Sequence, residues 1–147
     1  MKLKVSFTGY YKKERIRTGR RVIKPAWQLE ESSYYKSKHM ADNVYFGHKP
    51  KVPSPHYDVS YRGECIVRTS YKKSELNKVT GEHIGSWMFD LWKDSPGHYD
   101  IMMDTYAQNG AAICGYDYFA TPYTPKFKSY ISVYGTFHSG NTGHIIK

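Results

Sequence analysis

Trp92-Lys93-Asp94-Ser95-Pro96-Gly97-His98 is the stretch on which the reading of this chain turns. Upstream of it, Ile84, Trp87, Met88, Leu91 and Trp92 recur at helical spacing and form one apolar stripe. Glu82 to Lys93 therefore reads as a helix that sinks its Trp and Met side chains into a core. Ser95-Pro96-Gly97 stops that helix and turns the chain, which presents His98 at the rim of what lies below. Two earlier fragments, Phe46-Gly47-His48 and Arg62-Gly63-Glu64, each deliver another polar side chain from the end of a different element. Two imidazoles and a carboxylate, all beside small-residue turns, define a candidate site: His48, Glu64 and His98.

The chain has 147 residues, enough for one domain with a real core, and 39% hydrophobic content argues against disorder. Fifteen tyrosines stand out, since tyrosine lines wet interfaces as readily as cores. No run approaches the roughly 18 apolar residues that a membrane-spanning helix needs. The N-terminus, Met-Lys-Leu-Lys-Val-Ser-Phe-Thr, lacks the continuous apolar segment of a signal peptide, so any export is expected by another route. Cys65 and Cys114 allow one disulfide at most, and two buried free thiols is the simpler expectation. The net charge of +9 is unevenly spread: residues 1–24 carry nine basic side chains against Glu14 alone, a net of +8. The body is nearly neutral, which speaks against the folded domain being itself a nucleic-acid platform.

Residues 2–8 alternate in the period-two manner of a strand, and Arg15-Ile16-Arg17 with Arg21-Val22-Ile23 suit a returning strand. Residues 1–24 are thus expected to form a basic β-hairpin or extended arm. Pro25 suits a helix start, and 26–44 reads as a helix with Ser33 and Ser37 small enough for close packing and Gly47 as terminator. A Pro-rich loop (Pro50, Pro53, Pro55) leads to a short strand around Arg62–Arg68, and residues 69–81 read as a surface loop. A short helix is expected at Tyr99–Asp104, then a loop at 108–110. A strand follows at 111–119, with Gly115 as a bulge or close-approach point. A turn at 121–126 leads to a closing strand at Tyr130–Phe137, and residues 138–147 are expected to be a mobile tail. Helices separated by strand pairs imply an α+β domain or an α-β-α sandwich.

These fragments, in this order, resemble the CAP superfamily of cysteine-rich secretory proteins, venom antigens and plant pathogenesis-related proteins, in its bacterial-type branch. The resemblance rests on Leu29-x3-Ser33-x3-Ser37-x2-Met40-Ala41, Phe46-Gly47-His48, Gly63-Glu64-Cys65-Ile66 and Trp92-x2-Ser-Pro-Gly-His98 with Asp100-Ile101-Met102. A Gly/Ala-rich strand at 110–115 and a closing Tyr-x-x-x-Tyr-Gly-x-Phe strand complete it. It covers residues 25–137 and is most specific at Trp92–His98. It implies an α-β-α sandwich whose cleft is lined by a His/Glu tetrad, which in several members holds a divalent metal. The tetrad positions match His48, Glu64 and His98, while the second carboxylate position holds Ser95 and the family's Asn after Gly-Glu is Cys65.

Three functions follow as expectations. The first is a non-catalytic CAP-like binding module, acting at a surface or in a larger assembly such as a virus particle, with protein contacts through the basic arm and aromatic surface. The family's extracellular habit fits a surface location. The second is a metal-dependent hydrolase acting on peptide or cell-wall material. In it His48 and His98 bind a divalent metal such as zinc, and Glu64 serves as ligand or catalytic general base. The third is nucleic-acid binding through residues 1–24. Gly-x-Ser-x-Gly and phosphate-cradling glycine loops are both missing from the sequence.

Overall fold

A computed structural model of the chain describes residues 2–55, 58–59, 61–103, 112–121, 130–141 and 145–146. Helix α1 spans Lys2–Arg17, β1 Lys24–Pro25, α2 Trp27–Asn43, β2 Asp58–Val59 and β3 Gly63–Lys72. A 3-10 segment at Lys73–Lys78 leads to α3 at Gly81–Lys93, and α4 covers Pro96–Met102. Strands β4 (Ala112–Thr121), β5 (Tyr130–Asn141) and β6 (Ile145–Ile146) complete the order. The main sheet runs β1-β4-β5-β3, with β5 antiparallel to both long neighbours and β1 parallel to β4. Strands β2 and β6 form a separate antiparallel pair. The class is α+β.

Side-chain alternation along the strands explains how helices cover both faces of this sheet. Cys65 and Val67 on β3, Cys114 and Tyr116 on β4, and Val133 and Phe137 on β5 point to one side. There they meet Phe7 and Tyr11 of α1 and Ile84, Met88, Phe89 and Trp92 of α3 in the largest apolar cluster. The intervening residues Ile66, Tyr134 and Ile113 face α2, packing with Met40, Ala41 and Leu29. Trp92 is fully buried at the centre, and its indole N–H donates to Ile66 O at 3.2 Å, so its polar atom is satisfied inside the core. The apolar stripe read from the sequence for α3 is thus real, though Leu91 is exposed.

Gly115 marks the closest approach of α2 to the sheet. A Cβ there would lie 2.2 Å from backbone atoms of Leu29 and Glu30, so only glycine lets the helix start sit against β4. Ser33 and Ser37 serve the same packing: both are buried, donating to or sharing bonds with Gly115 O (3.0 Å) and Thr136 Oγ1 (2.7 Å). Both cysteines are buried and free.

Several expectations are corrected. The N-terminal basic hairpin or arm is helix α1, and it is part of the core: Phe7 is fully buried and packs its ring within 6.0 Å of Phe89, Trp92, Tyr116 and Phe137. Glu14 and Arg15, counted as arm charges, are buried as well. Arg15 donates to Met102 O and Arg21 O, and Glu14 accepts from Arg17 and from the Tyr99 hydroxyl, so the fold supplies partners that a hairpin would lack. Residues 138–147 are not simply a tail: β5 runs on to Asn141, and Ile145–Ile146 pair with β2. The surface loop expected at 69–81 begins as the end of β3, which stays paired with β5 as far as Lys72. Gly47 does not terminate α2; Val44 does, in the left-handed region at φ 51°. The loop at 108–110 and nearly all of the turn at 121–126 lie outside the described residues.

Candidate functional site

Glu64 is the second residue of β3, directly opposite His138 on β5. Both side chains face α2, because each shares its strand phase with residues that pack there. The Glu64 carboxylate is nearly buried and both oxygens are engaged: His48 Nδ1 lies 2.7 Å from Oε1 and His138 Nε2 lies 2.6 Å from Oε2. His138, 1% exposed, is enclosed further. Its Nδ1 is 2.7 Å from Ser32 Oγ, and the Tyr61 ring stacks on the imidazole at 3.7 Å and 9°. Lys51 Nζ lies over the Tyr61 ring, 5.5 Å from its centroid.

Burial opposes ionisation of Glu64, but the hydrogen bonds from His138 and His48 and the nearby Lys36 charge outweigh it, and its carboxyl falls below the usual range. Burial also holds His138 below the ordinary imidazole value, against the pull of Glu64. With Glu64 ionised and His138 neutral, Nε2–H donates to Glu64, and Nδ1 and Leu29 O share the single proton of the Ser32 hydroxyl, whose oxygen lies 2.7 Å from one and 3.0 Å from the other. Burial, followed by Glu64, raises the Tyr61 hydroxyl, so Tyr61 stays neutral.

His48 reaches this cluster from the loop after α2, with most of its side chain in solvent. Its Nδ1 is spent on Glu64, and among the described residues Nε2 makes no hydrogen bond. His98 stands on the first turn of α4, partly buried, its Nδ1 3.0 Å from Ser95 Oγ. Burial and then the His48 charge lower its pKa. Helix α4 rests against the edge strand β3: a Cβ on Gly63 would strike Ile101, and the Cys65 thiol lies 3.7 Å from His98 O. Burial, then the Glu64 charge, raises the Cys65 thiol, which is therefore inert at neutral pH.

Of the residues read from the sequence, the structure joins His48 to Glu64 by a direct bond and joins His98 to Ser95 instead. Among the described residues no group of three His, Cys, Asp or Glu side chains is gathered as a metal site. Sequence reasoning missed His138, Ser32, Tyr61 and Lys36. A signal existed for His138: Tyr134, Thr136 and His138 continue one strand face beyond Phe137. Ser32 and Lys36 likewise sit at i, i+4 on α2, facing that strand.

No family model matches this chain, and no curated protein matches it. Among solved structures it is similar to an outer surface protein from Borrelia burgdorferi, with a TM-score of 0.57 and 16% sequence identity. That similarity covers 96% of this chain and 93% of the other, and at this identity it speaks to the fold alone.

Proposed function

We propose that this chain is a CAP-like binding module, non-catalytic, working at a surface or within a larger assembly, and that the cleft at His48, Glu64, Ser95 and His98 holds its ligand. One observation carries the non-catalytic part: the Glu64 carboxylate is nearly buried, each oxygen already accepts a bond from an imidazole, and His138 behind it is locked by Ser32 and Tyr61. A general base must reach a substrate proton, and Glu64 is only 7% exposed, with both its oxygens turned toward His48 and His138. The exposed face of His48 and the half-exposed His98 are the groups left to meet a ligand. The fold shared with an outer surface protein supports a surface setting. Among the described residues no helix is long and apolar enough to cross a membrane.

The test offers purified protein a panel of peptides and cell-wall fragments with and without zinc. Turnover that disappears in Glu64→Gln would overturn the binding reading; unchanged substrates support it. A membrane-impermeant biotin reagent should label the chain on intact cells or particles, and labelling only after lysis would remove the surface setting.

A second reading, metal binding, has its own observation. His48 and His98 each commit Nδ1 to a polar partner, Glu64 and Ser95, and leave Nε2 available, as metal-ligating imidazoles do. In this reading the ion has two protein ligands, and Glu64 orients His48 rather than touching the ion. A bound divalent ion would supply Lewis-acid polarisation of a ligand carbonyl. Zinc titration of wild type against His98→Ala decides it, because this reading requires tight binding that the variant loses.

A further inference from the structure

Lys36 is the most deeply buried ammonium among the described side chains, 1% exposed, and the bonds that hold Glu64 and His138 do not use it. It stands on α2 one turn after Ser32, behind the cleft. Its Nζ donates to His48 O and Pro50 O, each at 3.0 Å, and lies 3.3 Å from the Tyr45 hydroxyl. The same nitrogen sits 5.2 Å from the Tyr45 ring centroid. An ammonium has three donors, and here three oxygens of one short segment, residues 45–50, take them. Burying a lysine charge is costly unless it is fully bonded, so this arrangement strongly favours the loop path that brings those carbonyls together.

A second observation points the same way. The loop begins at Val44, a β-branched residue at φ 51°, a conformation that valine adopts only when its surroundings impose it. The amides of Val44 and Tyr45 close the helix on Ala41 O and Met40 O, and the chain then folds back over Lys36. The residues that follow this turn, Tyr45, His48 and Pro50, are the ones the Lys36 ammonium holds.

We propose that Lys36 is the positioning residue of the cleft: it latches the 45–50 loop onto α2 and so holds the His48 imidazole against Glu64. The proposal rests on the cleft reading for its significance, but the latch is a statement about geometry and can fail separately. Ligand binding lost in His48→Ala addresses the cleft, whereas the experiments below address the latch alone.

The decisive measurement is a double-mutant cycle between His48→Ala and Glu64→Gln, read by urea unfolding, in wild-type and Lys36→Met backgrounds. Methionine keeps the length and removes all three donors. In the wild type the coupling should be about five-fold in the unfolding constant, as suits a hydrogen bond to a carboxylate with one partner half in solvent. In Lys36→Met it should vanish, and exchange protection at the Tyr45 amide should drop at least about ten-fold while the β3 and β5 amides hold. Adding Val44→Gly, which makes the left-handed turn easy, should restore part of that protection. Coupling that survives Lys36→Met would overturn the proposal. If Lys36→Met does not fold, wild type still decides. Nitrogen-15 spectra should show one ammonium with slowed proton exchange and contacts to the Tyr45 ring, and its absence would overturn the latch.

Discussion

At His138 the enclosure by Tyr61, Ser32 and Glu64 has a cost that appears in acid. Burial lowers its folded pKa below the ordinary 6.5. Between those two values the unfolded chain binds a proton that the native imidazole refuses, so stability falls as pH drops below about 6.5. Glu64 acts in the same sense lower down: its folded pKa lies below the ordinary 4.5, so its stabilisation is present above that value and is lost as pH falls through the folded value. His98, only partly buried where His138 is fully so, is lowered too and acts in the same direction. The expected melting temperature therefore declines from pH 7 to pH 5 and falls more steeply below. His138→Gln should flatten the upper part of that decline, and His98→Gln should leave most of it. At pH 7, Glu64→Ala should cost about 2–4 kcal/mol, because it strands the His138 N–H inside the fold. A wild-type melting temperature that stays level between pH 7 and 5 would contradict the neutral, buried assignment of His138.

Elements whose burial is apolar are legible in the sequence, and elements whose burial is polar are not. α2 and α3 fall within a residue or two of their expected bounds because Leu29, Met40, Ile84, Met88 and Trp92 mark their inner faces. Gly115 reads as a close-approach point, and the 2.2 Å contact with α2 gives the reason. α1 reads wrongly as a hairpin because its buried face mixes Phe7 and Tyr11 with Glu14 and Arg15, charges that only the folded partners Arg17, Tyr99 and Met102 make tolerable. The end of β5 looks like a tail for its polarity, although Glu64 opposite supplies the partner for His138. The helical state of α1 makes a prediction that a hairpin would not. Gly9 lies mid-helix, exposed, with nothing within 4 Å of the position a Cβ would take. Gly9→Ala should therefore stabilise the protein by about 0.5–1 kcal/mol through helix propensity, measured by denaturant midpoint. A loss of stability there would mean that this segment is not helical.

Across the whole molecule, the separation of a basic arm from a neutral body seen in the sequence does not survive as a separation in space. Half of the candidate site can be assembled from turn-flanking fragments, since His48 and Glu64 do meet. The other half depends on strand register and on buried hydrogen bonds, which spacing along one chain does not encode. The charge of residues 1–24 is also redistributed: the segment's one acid, Glu14, is turned inward, while Lys12, Lys13, Arg17 and Arg21 face solvent. Helix α1 thus has an outer face of cations and an inner face that closes the apolar core beside α3. This arrangement predicts the result of removing it. A free arm would leave an intact domain when residues 1–18 are deleted, with the melting curve scarcely moved. The structure instead requires that the deletion uncover Phe89, Trp92, Tyr116 and Phe137, which pack on Phe7, and leave Met102 O without Tyr11 and Arg15. Phe7→Ala alone should cost about 3–5 kcal/mol, a large share of the roughly 5–15 kcal/mol that stabilises a domain. The truncated chain should lose its cooperative thermal transition and bind hydrophobic dye, whereas Phe7→Ala should keep a single transition at lower temperature. A truncated protein that melts cooperatively near the full-length temperature would show that α1 is dispensable to the core.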